Sequence, residues 1–330
     1  MTGMGRPAVV FWGPDSVGTE RYAQRFNATC YLIHYLSWKR PWIAPLKYPP
    51  MWIKTWWLLL KQRPLSVLVI NTPVFAPICV YIYCLIARIP FAMKVHGHTL
   101  EGRKWGWSRP LQRFLAKRAS VNLIDTTEYK QIFESWGARV LFLEDPPIEV
   151  PHVDSEFTEY QGKFRVTVVS TFAGDEPLDL IVEAAHHLPN VCFFILGDTR
   201  LAKKEFLDSA PQNVVFTGYL VGNDYWNLLN SSKAILTLTT NPYSLVSGGT
   251  EGLHIHKPLI LSRQPALIDY FTKGTIFIDH TVDSVVDGVQ QVMERQSILS
   301  RESAELSAEK SAEWDAVFQE FVKIMGSAHA

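Results

Sequence analysis

Short apolar runs alternate with helical segments along the chain, and they fall into two series. Most of the runs are rich in β-branched or aromatic residues, are short enough for strands, and lead through a loop into a helical segment. The first series covers residues 7–12, 65–70, 90–95, 121–125 and 140–143, and the second covers residues 164–170, 191–196, 214–217, 234–239, 259–262 and 276–279. This alternation favours parallel sheets, so we predict an α/β chain with two Rossmann-like domains.

The stretch between the two series carries prolines and acids and predicts a linker at residues 148–163. We therefore assign residues 1–147 to an N-terminal domain and residues 164–300 to a C-terminal domain. Residues 301–330 are predicted to be helical, with an apolar stripe formed by Trp314, Phe318, Phe321 and Val322.

Residues 65–87 together are long enough to suggest a transmembrane helix. Polar residues and prolines interrupt the run at Asn71, Thr72, Pro73 and Pro77, where a strand-to-helix turn belongs. We therefore predict a buried strand followed by a buried helix.

Residues 35–61 contain five tryptophans among lysines and prolines and no acidic residue. Tryptophan and lysine together suit the headgroup layer of a membrane. The alternative is a helix over residues 51–61 that packs its aromatic side chains into the domain. We predict peripheral contact with an anionic membrane and expect the prolines to interrupt any long helix here.

Composition narrows the possible partners. The chain has 330 residues, is 47% hydrophobic, and carries 32 basic and 32 acidic residues, so no overall field predicts nucleic-acid binding. The four cysteines show no metal or redox spacing and are expected to be free thiols. The N-terminus runs almost at once into a strand pattern, so no signal peptide is expected, and we predict a cytoplasmic location.

The segment 232–271 carries the most informative candidate chemistry. A strand pattern leads into Ser247, Gly248, Gly249 and Thr250, and then into a helix that carries Glu251. Unpaired N–H groups at a helix N-terminus suit a diphosphate, and a carboxylate one turn later can accept from ribose hydroxyls. The alternative is a tight connection that needs glycine for steric reasons.

Two further loops are candidates. The first strand leads into a loop with Gly13, Ser16 and Gly18, which lacks the dinucleotide glycine fingerprint, so a nicotinamide cofactor is disfavoured. The strand at 90–95 ends at His96, which could bind sugar hydroxyls, act as a base, or be structural. His96 and His254 each have a second histidine two residues on but no third ligand nearby, so no metal site is predicted.

Two stretches resemble the family 4 glycosyltransferases. Residues 251–260 match the segment of that family in which a glutamate opens a helix that ends in Lys-Pro before a buried strand. Residues 71–97, with Asn-Thr-Pro, an apolar helix and Val-His-Gly, match a bacterial subgroup. The resemblance implies the GT-B architecture, which consists of two Rossmann-like domains facing across a cleft, with the C-terminal helix crossing back to the first.

The resemblance also implies roles for individual residues. Glu251 would bind the donor ribose, with residues 247–250 on the phosphates, and His96 would be catalytic, facing the donor sugar. The loop of Gly13, Ser16 and Gly18 would lie near the acceptor or the phosphates; the alternative is a plain connecting loop. Ser244 stands where the family has a sugar-binding glutamate. The loop at 171–177 has two acids where relatives carry bases. The strand end at Gly197 and the cations Arg200, Lys203 or Lys204 that follow it would serve the phosphates, or the helix N-terminus at residues 248–250 would suffice. The alternative is that these three cations are ordinary surface charges.

From these residues and this resemblance we expect a metal-independent glycosyltransferase. Its donor would be a nucleotide-diphosphate sugar, used as co-substrate with no cofactor, and its acceptor a lipid-linked saccharide at the inner face of the plasma membrane. The alternative is a non-catalytic relative that binds a sugar or a partner and has kept the fold.

Overall fold

The structure is a computed structural model that describes residues 5–14, 16–35, 44–71, 73–95, 100, 106–148, 162–242 and 244–327. The chain divides into two compact units. One comprises Met1–Pro146 and Ala312–Ala330, and the other comprises Pro147–Ser311. Most of the predicted linker, residues 149–161, lies outside the described residues.

The first unit contains a parallel sheet of six strands flanked by helices. In chain order the elements are β1 (Ala8–Phe11), α1 (Val17–Arg25), β2 (Thr29–Leu32), α2 (Ala44–Gln62), β3 (Val67–Ile70), α3 (Phe75–Ala87), β4 (Phe91–Val95), α4 (Arg109–Ala116), β5 (Val121–Ile124), α5 (Thr127–Ser135) and β6 (Val140–Phe142). The strands lie in the order β2-β1-β3-β4-β5-β6, and every neighbouring pair is parallel.

Alternate side chains of these strands bury on opposite faces of the sheet, as strand geometry requires. Ala8 and Val10 face a core shared with α2 to α5, whereas Val9 faces a second core shared with α1 and the C-terminal helix. Parallel strands buried on both faces explain why their sequences are nearly continuous apolar runs.

The second unit has a similar parallel sheet of six strands. Its elements are β7 (Phe164–Val169), α6 (Asp179–His186), β8 (Val191–Leu196), α7 (Lys204–Asp208), β9 (Val214–Gly218), α8 (Gly222–Ser231), β10 (Ala234–Thr237), α9 (Ser247–His254), β11 (Leu259–Ser262), α10 (Pro265–Tyr270), β12 (Thr275–Ile278) and the start of α11 (Val282–Ser327). The strand order is β12-β11-β10-β7-β8-β9, again with parallel pairs.

Helix α11 begins in the second unit and ends in the first, and its backbone departs from helical geometry at Arg295. The predicted apolar stripe anchors its last turns. Trp314 lies 6.3 Å from the ring of Tyr22, and Phe321 lies 4.9 Å from Phe26. The prediction of a C-terminal helix that packs on the N-terminal domain is confirmed by these contacts with α1 and with Phe26 directly after it.

Helix α2 corrects one expectation. The prolines were expected to interrupt any long helix, but α2 runs through Pro49 and Pro50. Each internal proline removes one backbone hydrogen bond. The helix persists because its inner face is strongly anchored: Leu59 is fully buried, and Trp12 donates a hydrogen bond of 2.8 Å to the buried hydroxyl of Thr55.

The short elements were the ones that the sequence pattern missed. Strand β2 has a single neighbour at the edge of its sheet and only half-buried side chains, so its hydrophobic signal is weak. Helix α10 was not predicted, although Pro265 occupies a first-turn position that favours a helix start. Residues 65–87 form the predicted strand and buried helix, and no helix in the described part of the chain is long and apolar enough to span a membrane.

Candidate functional site

The carboxyl edge of the second sheet has the geometry of a ligand site. Strands β7 and β10 are neighbours at the centre, and the chain leaves β7 toward β8 on one side and returns through β10 on the other. In open parallel sheets, ligands bind at this topological switch point. The loops that follow β7, β8 and β10 therefore contain the residues to be considered first.

Helix α9 follows β10 and begins at Ser247, so the predicted glycine turn is the first turn of this helix. Its N-cap residue is Val246, whose side chain makes no capping hydrogen bond. The N–H groups of Gly249 and Thr250 reach the carbonyl of Val246, at 3.0 and 3.2 Å. The helix itself offers no acceptor to the N–H groups of Ser247 and Gly248, which suits an anion.

The glycines of α9 also have a steric reason. A Cβ on Gly248 would lie 2.5 Å from Cβ of Val169, and one on Gly249 would lie 2.9 Å from the ring of Phe271. Both glycines are buried because α9 packs very closely against the sheet. Close packing therefore explains why glycine is needed at these two positions. The ability to bind an anion comes instead from the N–H groups at the start of the helix.

Glu251 accepts a hydrogen bond from the hydroxyl of Tyr225, which lies on the neighbouring helix α8. Burial, together with the charge of Glu251 and this hydrogen bond, raises the pKa of Tyr225 far above its usual range. Tyr225 therefore remains a neutral donor and orients the carboxylate. Sequence reasoning missed Tyr225, because no spacing relates it to Glu251 and only the packing of α8 beside α9 brings them together.

The loop after β7 contains its own anion. The carboxylate of Glu176 accepts from the N–H of Thr171 at 2.9 Å, from the Thr171 hydroxyl at 2.9 Å, and from the N–H of Ala173 at 3.3 Å. Between them, Phe172 has φ of 55°, so the backbone turns through the left-handed region there. Successive N–H groups in such a turn form an anion-binding concavity. In this structure Glu176 occupies it.

Polar contacts tie the neighbouring strand ends together. The hydroxyl of Thr239, just beyond β10, donates to Asp175 at 2.8 Å, and the N–H of Thr239 donates to the Ser262 hydroxyl at 2.9 Å. His280 in turn lies 2.9 Å from the same hydroxyl. These hydrogen bonds connect the chain segments at the carboxyl ends of β7, β10, β11 and β12.

The cationic side chains after β8 that were predicted to bind the phosphates are all exposed to solvent. Arg200 is highly exposed and pairs with Asp198 in its own loop, through bonds of 2.8 and 2.7 Å. Lys203 and Lys204 are exposed at the start of α7. Gly197 has φ of 136°, and a Cβ there would meet the Ser170 carbonyl at 2.7 Å, so glycine is required for backbone reasons.

Two polar residues flank helix α9, Ser244 before it and Lys257 after it. Ser244 is half-buried in the loop before α9, where its hydroxyl lies 3.5 Å from the Leu245 carbonyl. Lys257 follows α9 and donates to the Asn230 carbonyl at 2.6 Å. Burial, with the charges of Lys233 and Arg165, lowers the pKa of Lys257 to about 8.

In the first unit, the predicted loop residues have local structural roles. Ser16 caps α1 by accepting from the N–H of Thr19 at 3.3 Å. Gly13 is buried, and a Cβ there would clash with the ring of Phe11. Gly18 lies where a Cβ would be 3.2 Å from the carboxylate of Asp145. These residues sit at the carboxyl end of β1.

Lys94 is fully buried in β4. Its ammonium donates to the Leu143 carbonyl at 2.7 Å and pairs with Asp125 at 3.3 Å and Asp145 at 3.9 Å. Burial lowers the pKa of Lys94, but Tyr22 and the two carboxylates outweigh it, so the net shift is upward. The lysine therefore stays charged and ties β4 to the loops that follow β5 and β6.

His96 was predicted to be catalytic, and it lies outside the described residues, as does His98. The part of the chain that the structure describes contains no group of three or more His, Cys, Asp or Glu side chains that could hold a metal ion.

The outer surface of α2 is apolar over its length. Its exposed large hydrophobic side chains recur at helical spacing and form what we call the outer stripe, which consists of Leu46, Ile53, Trp57 and Leu60. Lys54 and Lys61 flank this stripe, with their ammonium groups 4.6 and 5.2 Å from the ring centroid of Trp57. The aromatic residues of the segment thus divide between the core and the surface. The tryptophans at 38 and 42 lie outside the described residues.

Comparison of the whole structure with solved proteins identifies the fold. HepE of Anabaena in complex with UDP matches with a TM-score of 0.72 at 13% identity, covering 98% of this chain and all (100%) of that one. A glycosyltransferase from Rickettsia africae matches at 0.71 and 10% identity, with 98% of both chains covered. The sucrose-phosphate synthase of Thermosynechococcus elongatus matches at 0.70 and 8% identity, again with 98% of both chains covered.

No protein-family model matches the chain, and no curated protein matches its sequence. The predicted fold is confirmed: this chain has the GT-B fold, with two parallel α/β units and a long C-terminal helix. HepE has also been solved with UDP-glucose, and with UDP and glucose. At these identities the similarity establishes architecture, and the activity has to be argued from the site.

Proposed function

We propose that this protein is a glycosyltransferase that moves a sugar from a nucleotide-diphosphate donor to a lipid-linked saccharide acceptor. The observation that carries the proposal is the arrangement at the switch point of the second sheet. A helix start without a capping side chain lies one turn before Glu251, which Tyr225 orients. This arrangement offers N–H groups to a diphosphate and a carboxylate to a ribose.

In the proposed reaction, the bond between the anomeric carbon and the diphosphate oxygen breaks, and the diphosphate leaves with the electron pair. An acceptor hydroxyl oxygen bonds to the anomeric carbon, and its proton passes to a base, for which His96 is our candidate. The protein contributes by positioning the reactants and by stabilising the departing charge through N–H groups such as those of Ser247 and Gly248. We propose that no protein-bound metal and no cofactor takes part.

A thermal-shift screen of UDP-, GDP-, ADP- and CMP-sugars tests the donor site. A ligand at a hundredfold excess over its Kd stabilises the folded protein by about 2.7 kcal/mol. That corresponds to roughly 5–10 °C for a unit of this size. We expect one nucleotide to give such a shift, Glu251→Ala to lose it, and Glu183→Ala to keep it, because Glu183 is an exposed carboxylate on α6 of the same unit. Equal shifts in melting temperature for wild type and Glu251→Ala would show that Glu251 does not contribute to nucleotide binding.

Turnover distinguishes the enzyme from a non-catalytic relative that has kept the fold. Two observations favour that alternative: Glu176 fills the loop after β7, and Arg200 is paired with Asp198. The measurement is release of the free nucleotide from the sugar that gives the largest shift, with and without saccharide acceptors. Binding without release over many hours would support the alternative.

We also propose that the protein acts as a peripheral protein at the cytoplasmic face of the plasma membrane. The support is the outer stripe of α2 with Lys54 and Lys61 beside it, because apolar and cationic groups together favour an anionic lipid surface. We expect sedimentation with vesicles that contain anionic lipid, weakened by salt and by Lys54→Gln with Lys61→Gln. Equal binding of wild type and this double variant would argue against an electrostatic contribution from these lysines.

A further inference from the structure

A wide-open pocket of about 400 Å³ lies on the surface beside the first turns of α2. Its lining consists of Tyr48, Pro49, Trp52 and Ile53 from α2 and Phe75 from the start of α3. We call it the α2 pocket. Its volume is within the range of roughly 300–1,000 Å³ that is usual for small-molecule sites.

The α2 pocket lies at the carboxyl edge of the first sheet. Phe75 opens the helix that follows β3, and the ring of Tyr48 stacks at 6.0 Å on Trp12, which directly follows β1. Strands β1 and β3 are neighbours, and β2 lies on the other side of β1, so this edge is the switch point of the first sheet. Ligands of open parallel sheets bind at such an edge.

The walls of the pocket are held in place by the core. Trp12 donates to Thr55, whose hydroxyl donates to the Met51 carbonyl at 2.7 Å, and the rings of Tyr48 and Phe75 lie 4.8 Å apart. A pocket whose walls are already ordered loses little entropy when a ligand binds.

The chemistry of the lining favours an aliphatic ligand. The surface that the lining presents is almost wholly apolar, and its proline, isoleucine and phenylalanine side chains offer no hydrogen bond. The Tyr48 hydroxyl and the Trp52 N–H contribute very little of that surface, whereas a saccharide or a nucleotide base needs several hydrogen bonds. The surroundings favour an anionic group at one end of that ligand. Helix α2 carries Lys47, whose ammonium lies 5.1 Å from the ring centroid of Tyr48, and Lys54 next to Ile53, and it contains no acidic residue.

We propose that the α2 pocket binds the aliphatic chain of the phosphate-linked lipid that carries the acceptor saccharide. This inference rests on the proposed function, since it names the part of the acceptor that the first unit holds. The chain would enter beside Ile53, whose side chain is 70% exposed, and its phosphate would lie toward the lysines of α2.

The test is a calorimetric titration with a series of alkyl phosphates, from butyl to dodecyl, kept below their micelle concentrations, with inorganic phosphate as the chainless reference. Each methylene that becomes buried should tighten binding about fourfold. We expect this increase in the wild type, its loss in Ile53→Glu, and its retention in Leu60→Glu.

Leu60→Glu is the matched control because it makes the same charge change at an exposed position of the outer stripe, seven residues and about 10 Å further along the helix. Both variants should keep the wild-type unfolding midpoint, since both side chains are exposed. Affinity that does not depend on chain length would overturn the proposal, and so would an equal loss in both variants, which would indicate a general apolar surface. Binding of a disaccharide that Ile53→Glu abolishes would also overturn it.

The titration contains no nucleotide and needs no turnover, so its outcome is separate from that of the proposed function. If the nucleotide shift is seen and the chain-length dependence is not, the pocket assignment is wrong and the donor site stands. If alkyl phosphates bind as expected and no nucleotide does, the pocket stands and the glycosyltransferase proposal fails.

Discussion

Replacing Lys94 by methionine tests whether the buried ammonium stabilises the first unit. Lys94→Met keeps most of the aliphatic stem and removes the charge from a side chain that is 0% exposed. The change deletes the bond of 2.7 Å to the Leu143 carbonyl and the ion pair of 3.3 Å with Asp125. A hydrogen bond from a charged donor contributes about 1.5–3 kcal/mol.

The remaining contributions set the net magnitude. Removing one partner of a buried ion pair costs about 3–5 kcal/mol, but Asp125 and Asp145 reach solvent, with 20% and 56% of their side chains exposed, so their loss is smaller. The ammonium also no longer has to be desolvated, which offsets part of the cost. We expect a net loss of about 2–4 kcal/mol and, for a unit of this size, a fall in Tm of roughly 5–12 °C.

The assay is urea unfolding followed by far-ultraviolet circular dichroism, with Lys117→Met as the control because Lys117 is an exposed lysine of the same unit. The control should change stability by less than about 0.5 kcal/mol. Adding Asp125→Asn to Lys94→Met should restore part of the loss if the ion pair matters. A Lys94→Met protein as stable as wild type, or more stable, would refute the reasoning, because it would mean that desolvation outweighs the contacts.

Three further changes test other parts of the second unit. Gly248→Ala should destabilise it by at least about 2 kcal/mol in urea unfolding, because its Cβ would lie 2.5 Å from the nearest side-chain carbon, whereas Gly174→Ala, with nothing within 4 Å, should be tolerated. Burial and two nearby cations lower the pKa of Lys257 from 10.5 to about 8, so the unfolded chain binds more protons between these values and the free energy of unfolding should rise with pH there. That rise, roughly 1–3 kcal/mol, should be absent from Lys257→Met when the two proteins are compared at each pH. Glu176→Gln should tighten nucleotide binding several-fold in thermal-shift titrations if the donor diphosphate reaches the loop after β7, and unchanged affinity would place the phosphates elsewhere.

The elements that the sequence predicted well are those with a strong local signal. Strands β8 and β11 have the predicted bounds, because continuous apolar runs between turn residues are typical of strands buried on both faces. The unexpected result at α2 has a different origin. Its prolines are a local signal against a helix, and the contacts that outweigh them, such as the bond from Trp12 to Thr55, join residues 43 positions apart.

In the candidate site, too, the residues with a local sequence signal could be predicted, and those that depend on distant contacts could not. The start of α9 and Glu251 could be identified, because the glycines, the carboxylate and the Lys-Pro ending lie within eleven consecutive residues. Tyr225 could not be, since it meets Glu251 only through the packing of two helices. The role of Lys94 could not be predicted either, because its three partners follow two other strands and only the fold brings them to it.

Near the switch point of the second sheet, two of the charged side chains that could meet a diphosphate are already bound to other groups of the protein. The loop after β7 lacks a base, and its N–H groups already bind Glu176, so a diphosphate bound there would have to displace a carboxylate. Arg200 already pairs with Asp198, so its guanidinium has to break two hydrogen bonds before it can move to a phosphate. The start of α9 requires neither exchange, because Val246 supplies no capping side chain. A donor held in this chain would therefore depend chiefly on backbone N–H groups, whose strength as donors does not vary with pH in the way that a titrating side chain does.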